Sequence, residues 1–393
     1  MKIAILCSGL GHINRGHEVF ARGLFDMLRD HLDIYLFKGG GEETKREIVI
    51  PNLSRISPCL KYIHTIGSPR WAESIREHER CHIEAVTFAY AALKPLLNEG
   101  FDIIHCLERE VCEVIYQHRH LFRYAPRIIF SNGGAIPAQN LPPCDFVQEH
   151  STYNQQRSVR GKAFMIPHGV DLNYFYPAVD GDFRARHGIP QDAFVAISVG
   201  TIGYWHKRMD YVIRELSQLP HIYLLIVGQE NSDSPAIKAL GQELMGGRIT
   251  FLTLPHKELP QAYAAADVFV LGSLAEAFGI VYIEAMAMGL PVFCTHHPNQ
   301  RSIVQEGIFV NMSCPGALAA ALRDTSAERL AGLRHLGPEI VRRDYDLHTL
   351  RERYLAEYQR IATTSVQLPA WTLRRRINAN LKNVTRSIGK LFG

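Results

Sequence analysis

The sequence predicts an α/β protein of two successive units, each a parallel sheet sheathed in helices, facing one another across a cleft. Three observations point there. At 393 residues the chain is long for one mixed core and suits two domains of about 150 to 200 residues. Short apolar runs alternate with helical periodicity in both halves, the pattern of buried strands that need helices on both faces. Hydrophobic residues make up 47% and charged residues 21%, enough apolar surface for two cores and too little charge for a disordered chain.

In chain order, residues 2–7 read as a buried strand, 8–16 as a glycine-rich turn, and 17–29 as a helix with apolar positions at Val19, Phe20, Leu24, Met27 and Leu28. Further strands fit 32–37, 101–106 and 127–131, while 40–85 reads as irregular. The second half opens after IPHGVDLNYFYP (166–177), whose glycine and prolines are turn residues, and continues with strands at 194–199, 222–227, 249–252 and 267–271. Ligands of such sheets bind near the carboxyl ends of the strands, in the cleft.

The opening MKIAILCSGLGH is expected to be a first buried strand rather than an export signal, because glycine-rich polar sequence interrupts its apolar run. No stretch calls for a transmembrane span. The eight cysteines lack paired C-x-x-C spacing, so reduced structural thiols in a cytoplasmic protein are expected. A formal charge of +4 is too small for this length to argue a nucleic-acid partner.

The chemistry concentrates in GSLAEAFGIVYIEAMAMGLPVF (272–293), directly after the strand-like run ADVFVL. Here Glu276 and Glu284 flank a polar turn leading into an apolar helix. Carboxylates accept hydrogen bonds from sugar hydroxyls and turn amides hold a diphosphate, so the arrangement suits a sugar nucleotide. A capping box of Ser273 with Glu276, which needs no ligand, is the alternative.

This segment resembles the donor-binding motif of the family-4 retaining glycosyltransferases, in which two glutamates are separated by seven intervening residues. Glu276, Phe278, Gly279, Glu284, Ala285, Met286, Ala287, Gly289, Pro291 and Val292 match, while Gly272 replaces a frequent proline. IPHGVDLNYFYP is similar to the family's interdomain motif, with His168 in place of the usual asparagine. The resemblance covers roughly 1–360 and implies two facing Rossmann-like domains, the glycosyltransferase B arrangement, with an interdomain cleft. It assigns 1–170 to an acceptor-binding domain, 171–360 to a nucleotide-sugar-binding domain and 361–393 to a basic tail. The irregular stretch 40–85 is then a candidate for acceptor-site loops.

AISVGTIGYWHKRMDYVI (196–213) supplies Gly200, Gly203, Lys207 and Arg208 between a strand and a helix, a cation and backbone donors that can stabilise a departing diphosphate. Relatives commonly carry arginine where this chain has Thr201; Lys207 is the expected phosphate contact and Arg208 its competitor. At the amino end, Gly16 and Glu18 match the family's first glycine-rich loop, and Gly9 and Gly11 permit a tight turn toward phosphate or acceptor. The implied donor-binding set is Gly11, Gly16, Gly200, Lys207, Arg208, Glu276, Phe278, Gly279, Ile280 and Glu284. Catalytic roles are expected for Lys207, Glu276 and Asn132, the last standing in RIIFSNGGAIP where relatives carry a sugar-contacting histidine. Asparagine can hydrogen-bond a sugar but cannot transfer a proton as histidine does. His12, His105 and His150 are the candidate acceptor contacts, against surface or structural roles for each; His12, Arg15 and His17 are candidates for shaping the cleft, with surface positions the alternative.

The resemblance implies transfer from a nucleoside-diphosphate sugar to an acceptor hydroxyl with retention, without a cofactor or metal, and no D-x-D-like magnesium site is evident. A catalytically inactive sugar-nucleotide-binding regulator and an unrelated two-domain protein remain alternatives. From Trp371, Arg374, Arg375, Arg376, Lys382, Arg386 and Lys390 accompany an apolar stripe of Leu373, Ile377, Leu381, Val384, Ile388 and Leu391. This basic amphipathic tail suits either peripheral contact with an anionic membrane or packing across the two domains. Donor nucleotide, sugar, acceptor and oligomeric state are left open.

Overall fold

The computed structural model describes residues 1–13, 16–63, 73–134, 136–177 and 181–366; Arg15 and the basic tail from Trp371 therefore lie outside the described residues. The first half supplies strands β1 (Lys2–Cys7), β2 (Asp33–Lys38), β3 (Glu47–Val49), β4 (Ile103–Cys106), β5 (Arg127–Ser131), β6 (Phe146–Glu149) and β7 (Ala163–Met165). They form one parallel sheet in the order β3-β2-β1-β4-β5-β6-β7. The second half supplies β8 (Phe194–Val199), β9 (Ile222–Val227), β10 (Ile249–Leu252), β11 (Val268–Val270), β12 (Val292–Thr295) and β13 (Ile308–Val310). Their order, again parallel, is β10-β9-β8-β11-β12-β13.

Helices α1 (Gly16–Leu28), α2 (Glu73–Glu99), α3 (Arg109–His118) and α4 (Thr152–Arg157) accompany the first sheet. Helices α5 (Phe183–Arg186), α6 (Met209–Ser217), α7 (Ser234–Met245), α8 (Leu259–Ala264), α9 (Ile280–Ala287), α10 (Pro298–Val304), α11 (Ala317–Asp324) and α12 (Ala327–Asp344) accompany the second. The central strands are mainly apolar because both faces are covered: Ile3 to Cys7 are fully buried, with Ile3 in register with Ile34 on one side and Ile103 on the other. The stretch expected to be irregular over 40–85 contains β3 and the start of α2, whose polar opening turns, ESIREHER, mask its helical period.

A last helix, α13 (Leu347–Ala362), crosses back. It lies in the span expected for the second domain, yet Leu350, Tyr354, Tyr358 and Ile361 are buried in the first core beside Leu24 and Phe146. Each such side chain contributes on the order of 1.5–3 kcal/mol by its removal from water. Two polar bonds fix the register of this helix on the sheet. Gln148 Nε2 donates to Tyr354 Oη at 2.6 Å, and Tyr358 Oη meets His105 Nδ1 at 2.8 Å. The outgoing and returning chains run side by side, with Val170 N donating to Tyr345 O at 2.9 Å and Leu347 N to Val170 O at 3.3 Å.

Candidate functional site

In the second sheet the chain runs from β8 outward to β9 and β10, then crosses back to β11, so strand order reverses between β8 and β11. The loops leaving such neighbours diverge and open a crevice. Gly200 follows β8 with φ 151°, and a Cβ there would meet the Lys207 stem at 2.9 Å. That close approach lays Lys207 across the crevice, where Nζ contacts Glu276 Oε1 at 2.5 Å. Glu276 also accepts from Ser273 Oγ at 2.7 Å, and His206 Nε2 lies 3.4 Å from its other oxygen. Its main-chain carbonyl is held by Asn299 Nδ2 at 2.8 Å and Gln300 Nε2 at 2.9 Å, so the loop is fixed from α10.

The capping-box expectation is not met: α9 starts at Ile280, with Gly279 at its N-cap in the left-handed region. A Cβ on Gly279 would strike the Tyr282 ring at 2.6 Å. The Ser273–Glu276 bond is thus a clasp within the loop rather than a helix cap. On α9, Glu284 is 3% exposed and accepts from Tyr263 Oη at 2.9 Å, with His256 Nε2 at 3.0 Å. The hydrogen bond to Glu284 raises the His256 pKa above its ordinary value against the pull of burial. Phe278 packs on His168, ring centroids 4.8 Å apart, and Asn154 Nδ2 on α4 reaches Ala277 O at 3.4 Å, which sets this loop against the first domain. Ile280 and Glu284 also line a cavity of 320 Å³ at the domain junction, together with Val19 and Phe20 of α1 and Tyr174 of the linker.

Arg208, the competing phosphate contact, points elsewhere. Its backbone is left-handed (φ 50°), and Nη1 donates to Met312 O at 2.6 Å and Gly272 O at 3.2 Å. It braces the loop, and of the two cations only Lys207 reaches Glu276. Thr201 is exposed.

The first sheet has the same topology, with its reversal between β1 and β4. After β1, Ser8 donates to Glu108 Oε1 from its amide at 2.7 Å and from its hydroxyl at 3.0 Å. His17, in the first turn of α1, brings Nε2 to 3.6 Å from the same oxygen, beyond hydrogen-bond length. Burial pulls the His17 pKa down, but the apposed Glu108 and the nearby Glu18 outweigh it and the net shift is upward. Cys7, His17 and Glu108 place their ligand atoms within 4.8 Å of one another. Burial pushes the Cys7 thiol well above its usual range, which favours the protonated, non-ligating form.

The other expected residues of this domain are placed differently. Gly11 (φ 93°) is required by packing, since a Cβ would sit 2.1 Å from Gly40 O, and Gly16 opens α1 with no atom near its Cβ position. His12 rests against Gly40 with Nε2 3.2 Å from Asn52 Oδ1. Two expected acceptor contacts are interior instead. His105 is sealed beneath α13, and His150 bonds Ser131 Oγ at 2.9 Å and stacks on His168 at 4.1 Å. Burial depresses the pKa of His105 and His150 to about 3, and that of His168 well below its usual value, so all three are neutral imidazoles. The amide of Asn132 is occupied, donating to Glu149 Oε1 at 3.0 Å and Ile136 O at 3.0 Å while accepting from Ile136 N at 2.8 Å. The role of Glu108 could be read only after topology had paired β1 with β4.

No helix among the described residues is long and apolar enough to cross a membrane, and no cysteine among them is joined in a disulfide.

Comparison with known proteins agrees with this geometry. The family Glycosyl transferases group 1 matches residues 179–334, which contain Lys207, Glu276 and Glu284. D-inositol 3-phosphate glycosyltransferase of Mycobacteroides abscessus is 39% identical over 130 residues, 32% of this chain and 29% of that protein. The Catenulispora acidiphila protein called D-inositol 3-phosphate glycosyltransferase 1 is 34% identical over 154 residues, 36% of this chain and 37% of that one. The chain thus spans about a third of the length of these curated relatives. Among solved structures, sucrose-phosphate synthase from Thermosynechococcus elongatus superposes with a TM-score of 0.75 at 22% identity, covering 93% of this chain and 100% of that one. Anabaena HepE, solved in complex with UDP and glucose, gives 0.68 at 17% identity over 91% of this chain and 99% of that one. The family-4 expectation is corrected by the match over 179–334, which is to group 1 and does not single out family 4. The chain has the two-domain glycosyltransferase B architecture with its interdomain cleft, and its second domain carries the match to Glycosyl transferases group 1.

Proposed function

We propose that the protein is a retaining glycosyltransferase that moves a sugar from a nucleoside diphosphate to an acceptor hydroxyl. In this reading residues 171–360 bind the nucleotide sugar and residues 1–170 the acceptor. The observation that carries it is the pairing of Lys207 with Glu276 of the loop before α9, with Glu284 buried on α9 itself, at the reversal point of the second sheet.

A bound diphosphate offers Lys207 a stronger anionic partner than Glu276 alone, and the amides of Gly279 and Ile280 at the helix start add donors. Drawing Nζ toward phosphate frees a Glu276 oxygen to accept from a hydroxyl of the transferred sugar. Glu284, already holding two donors, is suited to the ribose hydroxyls, with His256 giving way or sharing. The anomeric C–O bond to phosphate then lengthens while the acceptor oxygen closes on the same face, and the departing phosphate oxygen takes the acceptor's proton. Lys207 and the loop amides stabilise the charge that develops on phosphate. Glu276 is assigned no covalent role. Tail contact with an anionic membrane belongs to the same proposal, for a lipid-borne acceptor.

A mass-spectrometric donor-and-acceptor screen on the purified protein, run beside Glu276→Ala and Lys207→Ala, tests this reading. Transfer that collapses in both variants is the expected result. Nucleotide binding with neither transfer nor donor hydrolysis across the panel would favour the inactive regulator.

A further inference from the structure

The first sheet carries a second polar corner, at the position that Lys207 and Glu276 occupy in the other sheet. Glu108 Oε1 is bound by both donors of Ser8, which fixes the carboxylate and directs Oε2 away from them. Oε2 is buried without a hydrogen-bond partner, and so is His17 Nε2, 3.6 Å from Oε1. Buried polar atoms without partners are uncommon because each forfeits its solvation, so two on facing residues mark a place built for a hydroxyl or a water. The corner lies at the strand-order reversal, where open α/β sheets bind ligands. The His17 side chain keeps 32% of its surface exposed while Nε2 itself is covered, so a ligand reaches the pair by displacing the ring edge. Its Nδ1 edge is turned toward Gly133, where an added Cβ would lie 3.8 Å away, so it stands beside Asn132, whose own amide is fully used.

We propose that His17 and Glu108 form a fork that binds a polyhydroxylated acceptor ring, Glu108 Oε2 accepting from one hydroxyl and His17 Nε2 donating to its neighbour. This rests on the transferase reading above and adds an acceptor class to it: a polyol satisfies both atoms, whereas a simple lipid alcohol satisfies one. The fork replaces His105 and His150 as the acceptor contacts, since both are interior.

Saturation-transfer NMR tests the proposal without requiring turnover. D-glucose, D-mannose and myo-inositol are the probes, with UDP, GDP and ADP as separate probes of the second-domain site. The proteins are wild type, His17→Ala, Glu108→Gln and His17→Asn. Glutamine keeps an acceptor for Ser8 and replaces the free acceptor by a donor; asparagine restores a donor near Nε2. The expected result is a polyol signal on wild type, weakened about ten-fold or more in His17→Ala and Glu108→Gln and partly restored in His17→Asn, with nucleotide signals unchanged. No polyol signal on wild type, or equal signals on all four folded proteins, overturns the fork and leaves the corner holding a bound water only. Loss of nucleotide binding by wild type would instead strike the transferase reading.

Discussion

At the reversal point of the second sheet, a lysine and a carboxylate close on each other at 2.5 Å; at that of the first sheet, a histidine and a carboxylate stand 3.6 Å apart, each with a polar atom unsatisfied. The second site is internally neutralised before any ligand arrives, so a ligand there must compete with an existing contact. The first has no such contact to displace. A ligand that brings its own anionic charge suits the former, and a neutral one that brings only hydroxyls suits the latter.

The sharpest way to break this comparison is Lys207→Ala, which leaves Glu276 without its ammonium partner and phosphate without its cation. Initial rates of transfer should fall about 10²- to 10³-fold when measured well below the variant's own melting temperature, which the unpaired Glu276 should lower. A fall of less than about ten-fold would mean that Lys207 serves only to neutralise Glu276.

Acid should next unsettle the interior between the two sites. His105, His150 and His168 are neutral when folded, with depressed pKa values, but bind protons near pH 6.5 when unfolded. Stability is therefore lost as pH falls below about 6.5, at roughly 1 kcal/mol per histidine per pH unit. His17 and His256, whose pKa values are raised, act in the opposite direction: their stabilisation is present at low pH and fades as pH rises through their folded values. Urea unfolding at pH 7.5 and 5.5 should show a net loss of about 1–3 kcal/mol at the lower pH.

Glu284→Gln should weaken nucleoside-diphosphate binding about ten-fold in a calorimetric titration, since the amide leaves one acceptor for Tyr263, His256 and the ribose. The smallest change is expected from His12→Ala: its ring lies against Gly40 and Asn52 and bonds neither pair directly, so acceptor KM should move less than about two-fold. A larger change would extend the first site toward residues 39–52.

The difference between the sites also explains what the sequence could show. Glu276, Glu284 and the helix that carries Glu284 are neighbours in the chain, and an apolar run followed by a glycine turn announces the strand, loop and helix. The first site draws Ser8, His17 and Glu108 from separate segments, and only the pairing of β1 with β4 brings them together. His105 and His150 were legible as strand-end residues but not as interior ones. The cover over His105 comes from Tyr358, 253 residues away, and no local period reports a contact at that distance. Arg208 likewise reads as a free cation until Met312 O, 104 positions later, is found to hold it.

The return of α13 makes the second domain an insertion within the first rather than an appendage to it. A nascent chain that has completed β7 still lacks Leu350, Tyr354, Tyr358 and Ile361, so the face formed by Leu24, Phe25, Phe146 and Phe164 stays uncovered until the whole second sheet and then α13 have been made. The first sheet is synthesised before the second and sealed after it, which leaves its apolar face dependent on protection during synthesis.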